Sequence, residues 1–335
     1  MSGVTYQAQP GAIPRRQKRQ LPVRYSLVII FLVLVVTFAI LRPDFIDAGN
    51  ISKILRSASI SGIMFLGVTW VIASGEIDIS FMEVAALSDM LVAGLVHSGY
   101  GWPLACCVGL AAGVGVGLMN GFLVGYMRLP ALITTLATGG FARSMAAVIG
   151  LGSSLSISDT GFVGRFVNTS FGFLPAVALL AIALYAIAWF VQERLVFGHY
   201  LYAMEQNRNA IIEAGVPARR LTLLLYLISG TAAAIAGILL TASLDSGQPR
   251  IGASFFIDGL TAVLLGGMVI KFGQPNVLGT LLAVLLLAVL VSGTALLGWS
   301  DWQRDIIKGG LLLLGVIIVV RGRKAPETRQ LGGAH

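Results

Sequence analysis

The sequence predicts an all-α polytopic membrane protein with about ten transmembrane helices, some of them short or broken. Three observations carry that expectation. First, 56% of the 335 residues are hydrophobic and only 11% are charged, with a mean hydropathy of +0.87. In soluble domains charged residues alone approach about a quarter. Second, the apolar residues fall into runs long enough to cross a bilayer. Third, the basic residues gather on one side of the topology those runs dictate. The net charge of +8 therefore calls for no nucleic-acid partner; its partner is the lipid bilayer, on the side where Lys and Arg are retained. The 41 glycines suit helices that pack closely in lipid through small residues. Cys106 and Cys107 are adjacent inside an apolar run, so no disulfide framework is implied.

The chain opens on a basic arm, residues 1–24, expected to be irregular and to lie in the cytoplasm, with Arg15, Arg16, Lys18, Arg19 and Arg24 ahead of the first apolar run. That run, Tyr25–Leu41, covers roughly 25 Å as a helix of about 17 residues. A secretory signal has the same layout, but no small-residue cleavage site follows, and Leu41-Arg42-Pro43 is a poor one. A retained first helix is expected. Further apolar segments lie at 57–74, 82–97, 103–126, 131–150, 173–192, 221–243, 255–270, 276–298 and 303–320. Those at 57–74, 82–97 and 255–270 are short or broken by polar residues, as half-helices and re-entrant pieces are. Together residues 25–320 read as one transmembrane domain, followed by a basic cytoplasmic tail, 321–335.

Ten crossings put the basic arm, Arg128, Arg194, Arg208, Arg219, Arg220, Lys271, Arg321, Arg323, Lys324 and Arg329 on one side. The other side holds Arg42, Lys53, Arg56, Arg165, Arg250 and Arg304. By the positive-inside rule the first side is cytoplasmic, with both termini on it.

The polar island Glu193–Arg220, ERLVFGHYLYAMEQNRNAIIEAGVPARR, lies on that side too. Met204–Ala214 has a helical pattern, Gly215 stands where a C-cap would, and Pro217 blocks continuation. A short amphipathic helix at a membrane face suits docking to another protein; an ordinary connecting loop is the alternative.

At this point four stretches resemble a known family. SGEIDIS at Ser74–Ser80 resembles a Gly-Gly-Ile-Asp-Leu-Ser segment, with Glu76 as a departure. NGFLVGYMRLPALITTL at Asn120–Leu136 resembles an Asn-Gly segment followed by Leu-Pro and Thr-Leu. The island resembles a cytoplasmic loop through Gly198, Tyr202, Ala203, Asn207, Ala210, Gly215 and Val216, continuing to Tyr226, Ser229 and Gly230. LLGG at Leu264–Gly267 and LGT at Leu278–Thr280 resemble a late Gly-Gly and Gly-Thr segment. Across nearly its whole length the chain is similar to the permease subunit of a bacterial sugar-importing ABC transporter of the ribose type. Glu205, where the family usually has Gly, Ile211, where a second Ala is common, and Lys271–Asn276, KFGQPN, depart from its pattern.

The resemblance implies a type II ABC importer-like fold in the bacterial inner membrane. It implies pairing with itself or a sister permease, ABC ATPase subunits inside and a periplasmic solute-binding protein outside. It also makes 193–220 the loop that couples to the ATPase. The sequence has no G-x-x-x-x-G-K-[ST] phosphate loop, so ATP and Mg²⁺ are expected on the partner chain, with no cofactor bound by this one. No nucleophile–base arrangement stands out, and His97, His199 and His335 are scattered; neither a catalytic nor a metal site is expected. Branched-chain amino acids are the alternative cargo, and an ion-coupled secondary transporter the alternative mechanism.

Candidate solute-path residues are Glu76, Asp78, Ser80, Asn120, Thr134, Thr135 and Arg143, because ionisable groups at membrane depth are costly and often functional. For each a structural reading stands beside it. Asp78 or Ser80 is then a cap for the next helix, and Asn120, Thr134 and Thr135 hydrogen-bond between helices. Lys308 is read as snorkelling.

Overall fold

The computed structural model describes residues 15–323, and the side chains of 25–317. The helices are α1 (Arg15–Leu41), α2 (Ala48–Ala73), α3 (Phe81–His97), α4 (Trp102–Gly125), α5 (Ala131–Ile149), α6 (Gly161–Asn168), α7 (Ala176–Arg194), α8 (Val196–Glu213), α9 (Ala218–Leu244), α10 (Gly252–Gly266), α11 (Val277–Leu296) and α12 (Asp301–Arg323). Ten of these correspond to the expected apolar segments; α6 and α8 are additional. Among the described residues α2, α4, α5, α7, α9 and α11 are long and apolar enough to cross a membrane. The chain is a multi-pass membrane protein.

Proline sets several of the starts. Pro130, Pro175 and Pro217 stand immediately before α5, α7 and α9, and Pro103 lies in the first turn of α4. At those positions its missing N–H would have had no intrahelical partner in any case. Several boundaries differ from expectation. Helix α1 begins at Arg15, so the arm expected to be irregular through Arg24 is helical over its last ten residues; those before Arg15 lie outside the described residues, as do 324–335 of the tail. Helix α2 begins at Ala48, which moves Lys53 and Arg56 from a connecting loop into its first turns.

Helix α9 is the axis of the bundle, packed on α2, α3 and α4. Its contact with α4 is antiparallel and backbone-close. A Cβ at Gly113 would lie 2.5 Å from Gly230 O, one at Gly117 2.6 Å from Tyr226 O, and one at Gly121 2.7 Å from Leu223 Cα. Glycine every fourth residue lines one helix face, and lipid offers no hydrophobic drive for helices to associate. Van der Waals contact between close backbones supplies it instead. At one end of the bundle, the Asp89 carboxyl accepts from Thr241 Oγ1 (2.7 Å) and from Gln248 N (2.7 Å). The same end carries the two-residue antiparallel pairing of Leu155–Ser156 with Ser246–Gly247. Helix α8 lies at the other end.

Substituting Gly117 by Leu is expected to destabilise the protein by about 1–3 kcal/mol or to block insertion, because the neighbouring atoms are backbone and cannot yield. Gly115→Ala, where a Cβ meets nothing within 4 Å, should be neutral. Thermal unfolding of the detergent-solubilised protein reads both.

Candidate functional site: two helix breaks joined by a surface helix

The chain leaves helical geometry between α2 and α3, over Ser74–Ser80. Free backbone groups in a low-dielectric interior cost several kcal/mol each unless bonded, and side chains supply the partners here. Tyr226 donates to Ile77 O (3.0 Å), Thr135 Oγ1 accepts from Ile79 N (3.2 Å), and Asp78 Oδ1 accepts from Ser80 N (2.8 Å). Behind them runs a chain of donors that all point one way. Thr138 donates to Asn120 Oδ1 (2.7 Å), Asn120 Nδ2 to Ser80 Oγ (2.8 Å), and Ser80 Oγ to Asp78 Oδ1 (2.6 Å). Ser229 reaches Asp78 Oδ2 from the other side (2.7 Å). Asp78, 2% exposed, is the common acceptor, and bonds aligned in this way polarise one another. The network ties the break to α4, α5 and α9.

A second break lies between α10 and α11. Asn276 holds it, donating to Val269 O (2.8 Å) and Gly266 O (3.1 Å) while its Oδ1 caps α11 at Gly279 N (2.8 Å). The KFGQPN departure is thus a built turn. Gly266 and Gly279 approach so closely that a Cβ on Gly279 would lie 2.0 Å from Gly266 O.

Both breaks are attached to α8. Arg208 Nη1 pairs with Glu76 Oε1 at 2.6 Å, and Arg208 Nη2 reaches Thr222 Oγ1 at 3.3 Å. Glu205 packs over the first break, where a Cβ on Gly75 would lie 3.2 Å from Glu205 Cα. Toward the second break, Tyr202 donates to Pro275 O (3.1 Å) and accepts from Gln192 Nε2 (2.6 Å), while Gln192 Oε1 accepts from Val277 N (2.9 Å). Lys271 pairs with Glu193 at 2.7 Å and sits over the Tyr202 ring, 4.6 Å from its centroid. Burial, then the nearby Glu193 carboxylate, push the Tyr202 phenol above its usual range, so it remains a donor to Pro275. Beside the Glu76 pair, a cavity of about 290 Å³ is also lined by Arg128 and Arg219. Three guanidinium groups against one carboxylate give this face a positive field.

The island is more helical than its pattern suggested. Helix α8 begins at Val196, eight residues before Met204, and is interrupted at Asn207 (φ −156°, ψ 92°), whose Oδ1 accepts from Ala210 N at 3.0 Å and starts the second half. It ends as read. Gly215 has φ +82°, Gly215 N donates to Ile212 O and Val216 N to Ile211 O, each at 3.0 Å, which together make a Schellman motif. Gly198 is required because a Cβ there would lie 1.8 Å from Gln192 O. Ala203 is partly buried against the core beneath α8, whereas Ala210 faces outward.

Of the candidate solute-path residues, Asp78, Ser80, Asn120 and Thr135 come together in the hydrogen-bonded network, and Glu76 is held by α8. Thr134 bonds back to Pro130 O (3.0 Å). Arg143 is exposed on α5, makes no hydrogen bond to these groups, and lies close enough to Glu83 for its charge to act on that carboxyl. Ser80 makes no side-chain cap to α3. Lys308 is bound to Asp258, 2.9 Å from Oδ1 and 3.0 Å from Oδ2, so it does not snorkel. Sequence reasoning missed the Arg208–Glu76 pair, since 132 positions separate the partners and no pattern links them. The same holds for Ser229 and Thr138.

A multi-pass bundle with helices interrupted beside a surface helix, and with both breaks sealed by side chains, has the build of a membrane permease. The chain belongs to the family described as branched-chain amino acid transport system / permease component, whose model matches residues 50–316. It is 33% identical to a ribose import permease protein of Bacillus subtilis over 85% of this chain and 89% of that one. To a ribose import permease protein of Escherichia coli K12 it is 31% identical, over 87% and 91%. An L-arabinose ABC transporter permease protein of Azospirillum brasilense is 29% identical over 89% and 88%. Among solved structures, one described as an inward-facing conformation of an ABC transporter assigned to the metal-chelate type covers 92% of this chain and all of its own. Its TM-score is 0.50 at 15% identity, a likeness of fold alone.

Asp78→Asn would aim amide hydrogens at groups that are already donors. It is expected to cost about 1–3 kcal/mol, read as a lower unfolding midpoint in detergent, with Ser229→Ala losing less because one of the donors to Asp78 disappears with no clash.

Proposed function

We propose that this chain is the permease subunit of an ATP-driven importer that carries a small carbohydrate, a monosaccharide, into the cytoplasm. The observation that carries the reading is the attachment of one surface helix, α8, to both helix breaks. A permease that binds no nucleotide needs a part that receives motion from an ATPase on a separate chain, and α8 has the position and connections for it. Its outward residues, Ala210 and the Gly215 cap among them, form the docking face; Gly198, Tyr202, Ala203, Asn207 and Val216 hold it in place. Closure of the ATPase pair on ATP binding would shift α8. The Arg208–Glu76 pair and the Tyr202–Pro275 bond would carry that shift to the two breaks. A sugar must exchange its water for polar groups along the path, since each stripped hydroxyl costs a few kcal/mol.

Ribose and arabinose in the names of the relatives support carbohydrate as cargo, and the family description keeps branched-chain amino acids as the second reading. The full assembly in this reading holds two permeases, two ATPase domains and a periplasmic solute-binding protein, in the bacterial inner membrane. The helix order and the basic residues at the α8 end support cytoplasmic termini.

Ala210→Glu and Gly215→Asp are expected to abolish ATP-driven pentose uptake in membrane vesicles while the protein still inserts. The first adds a charge to the docking face. The second strains the cap by about 1–2 kcal/mol, because the left-handed conformation crowds a Cβ. Wild-type uptake by both variants would remove the coupling role of α8; uptake driven by an ion gradient without ATP would remove the importer class.

A further inference from the structure

At the end of the bundle opposite α8, two adjoining cavities of about 290 and about 480 Å³ open between α2, α9, α10, α11 and α12, sharing Lys53, Ser57, Ser61, Ser254 and Phe255. We infer that this cleft is the seat from which the solute enters, and that its chemistry selects a neutral polyhydroxylated solute over a zwitterionic one. The inference rests on the carbohydrate reading above and adds where the sugar sits and what rejects an amino acid.

The size falls within the range of small-molecule sites, about 300–1,000 Å³. Its polar groups are spaced by the helix repeat. Lys53, Ser57 and Ser61 follow at four-residue intervals along α2, as Ser254 and Asp258 do along α10, so each set shares one face. Ser61 Oγ donates to Ser57 O at 2.9 Å and Ser254 Oγ to Ile251 O at 3.0 Å. With their hydrogens committed to the helix, these oxygens are left as acceptors. Lys53 is exposed and carries three donors. A sugar hydroxyl both donates and accepts, and such a mixed lining answers it.

Charge decides against the amino acid. The one carboxylate lining the two cavities, Asp258, is ion-paired with Lys308, which hydrogen-bonds Oδ2 at 3.0 Å and lies 2.9 Å from Oδ1. Of the two cations besides Lys53, Lys308 is held by Asp258, and Arg56 donates to Asn168 Oδ1 at 2.8 Å. Lys53 can answer the carboxylate of an amino acid, but its ammonium group meets no anion that is not already ion-paired, and burying an unpaired charge costs far more than burying a bonded hydroxyl.

The inner end of the cleft is aromatic. Phe65 packs on Phe255, with centroids 6.4 Å apart, and edge-to-face on Phe81 at 6.0 Å and 88°. Phe81 is the first residue of α3, next to Ser80 of the Asp78 network. The floor of the cleft thus rests on Phe81, which directly follows the break that Glu76 ties to α8, so a shift of the break would reach the floor through the Phe81–Phe65 contact.

The test uses cells carrying the whole importer with Cys106 and Cys107 replaced by Ser. Pentose uptake is measured first; its absence removes the carbohydrate reading and the cleft assignment together. Ser57→Cys and Ser254→Cys are then exposed to a membrane-impermeant maleimide from outside, with Ala210→Cys at the other face as control; Ser61→Cys replaces either if it fails to insert. The expected result is labelling at the cleft and none at Ala210→Cys. Ribose or arabinose at ten times its half-saturating level should slow labelling about tenfold, and leucine should not. Labelling absent from outside, or unaffected by pentose while pentose is still taken up, overturns the cleft and leaves the carbohydrate reading intact. Protection by leucine and not by pentose overturns the selectivity.

Discussion

A helix broken inside a bundle must find partners for its freed backbone groups; in this protein Tyr226 and Thr135 meet two of them, and a third, Ser80 N, bonds Asp78, on which side-chain donors converge as well. Water would meet that demand at a surface; inside a bundle only side chains can. The donors that reach Asp78 come from the break itself and from α9, and the chain behind Ser80 extends to α4 and α5. Four segments far apart in sequence are fixed by one carboxyl group. The glycine contacts of α4 with α9 follow from the same requirement, since Asn120 and Ser229 reach the break only if those two helices approach to backbone distance.

The second break meets the demand differently. Asn276 can donate and accept at once, so a single side chain closes the Gly267–Asn276 turn and caps α11. An acceptor-only carboxyl needs a convergence of neighbours, whereas an amide can serve both ends of a local turn. The first break is thereby coupled to α4, α5 and α9, whereas the second is closed by its own Asn276 and held from outside by α7 and α8. What joins them is α8.

The ten helices that match the apolar segments were legible because apolar length is a local property, and the end of α8 was legible because Gly215 and Pro217 are local signals too. Long-range pairing was not: nothing in SGEIDIS announces that Glu76 meets Arg208. The departures from the family pattern were the nearest hint, since Glu76 and Glu205 both prove to lie at the junction of α8 with the first break. The cleft had a readable signal in the four-residue spacing of Lys53, Ser57 and Ser61 inside α2. It was hidden by starting that helix near residue 57, which assigned Lys53 and Arg56 to a loop. Asp78, Asn120 and Thr135 stood out by residue type within apolar segments, yet residue type alone does not distinguish partners in the protein from a solute.

The interruption of α8 at Asn207 gives the helix two halves with different attachments. The first carries Tyr202 and is bound to Pro275 at the second break; the second carries Arg208 and is bound to Glu76 at the first. A continuous helix would move both attachment points as one rigid body. A joint between them allows the halves to tilt unequally, while the Asn207 cap keeps the second half helical. The two attachments also differ in kind. The Tyr202 contact is a hydrogen bond between a partly buried phenol and a carbonyl, whose strength depends on distance and angle. The Arg208 contact, equally partly buried, adds to its hydrogen bond the attraction of opposite charges, which reaches beyond hydrogen-bonding distance. Under a common pull the Tyr202 bond would be lost first, whereas the Arg208–Glu76 attraction would persist over a longer separation, on the half that is tied through Phe81 to the floor of the cleft.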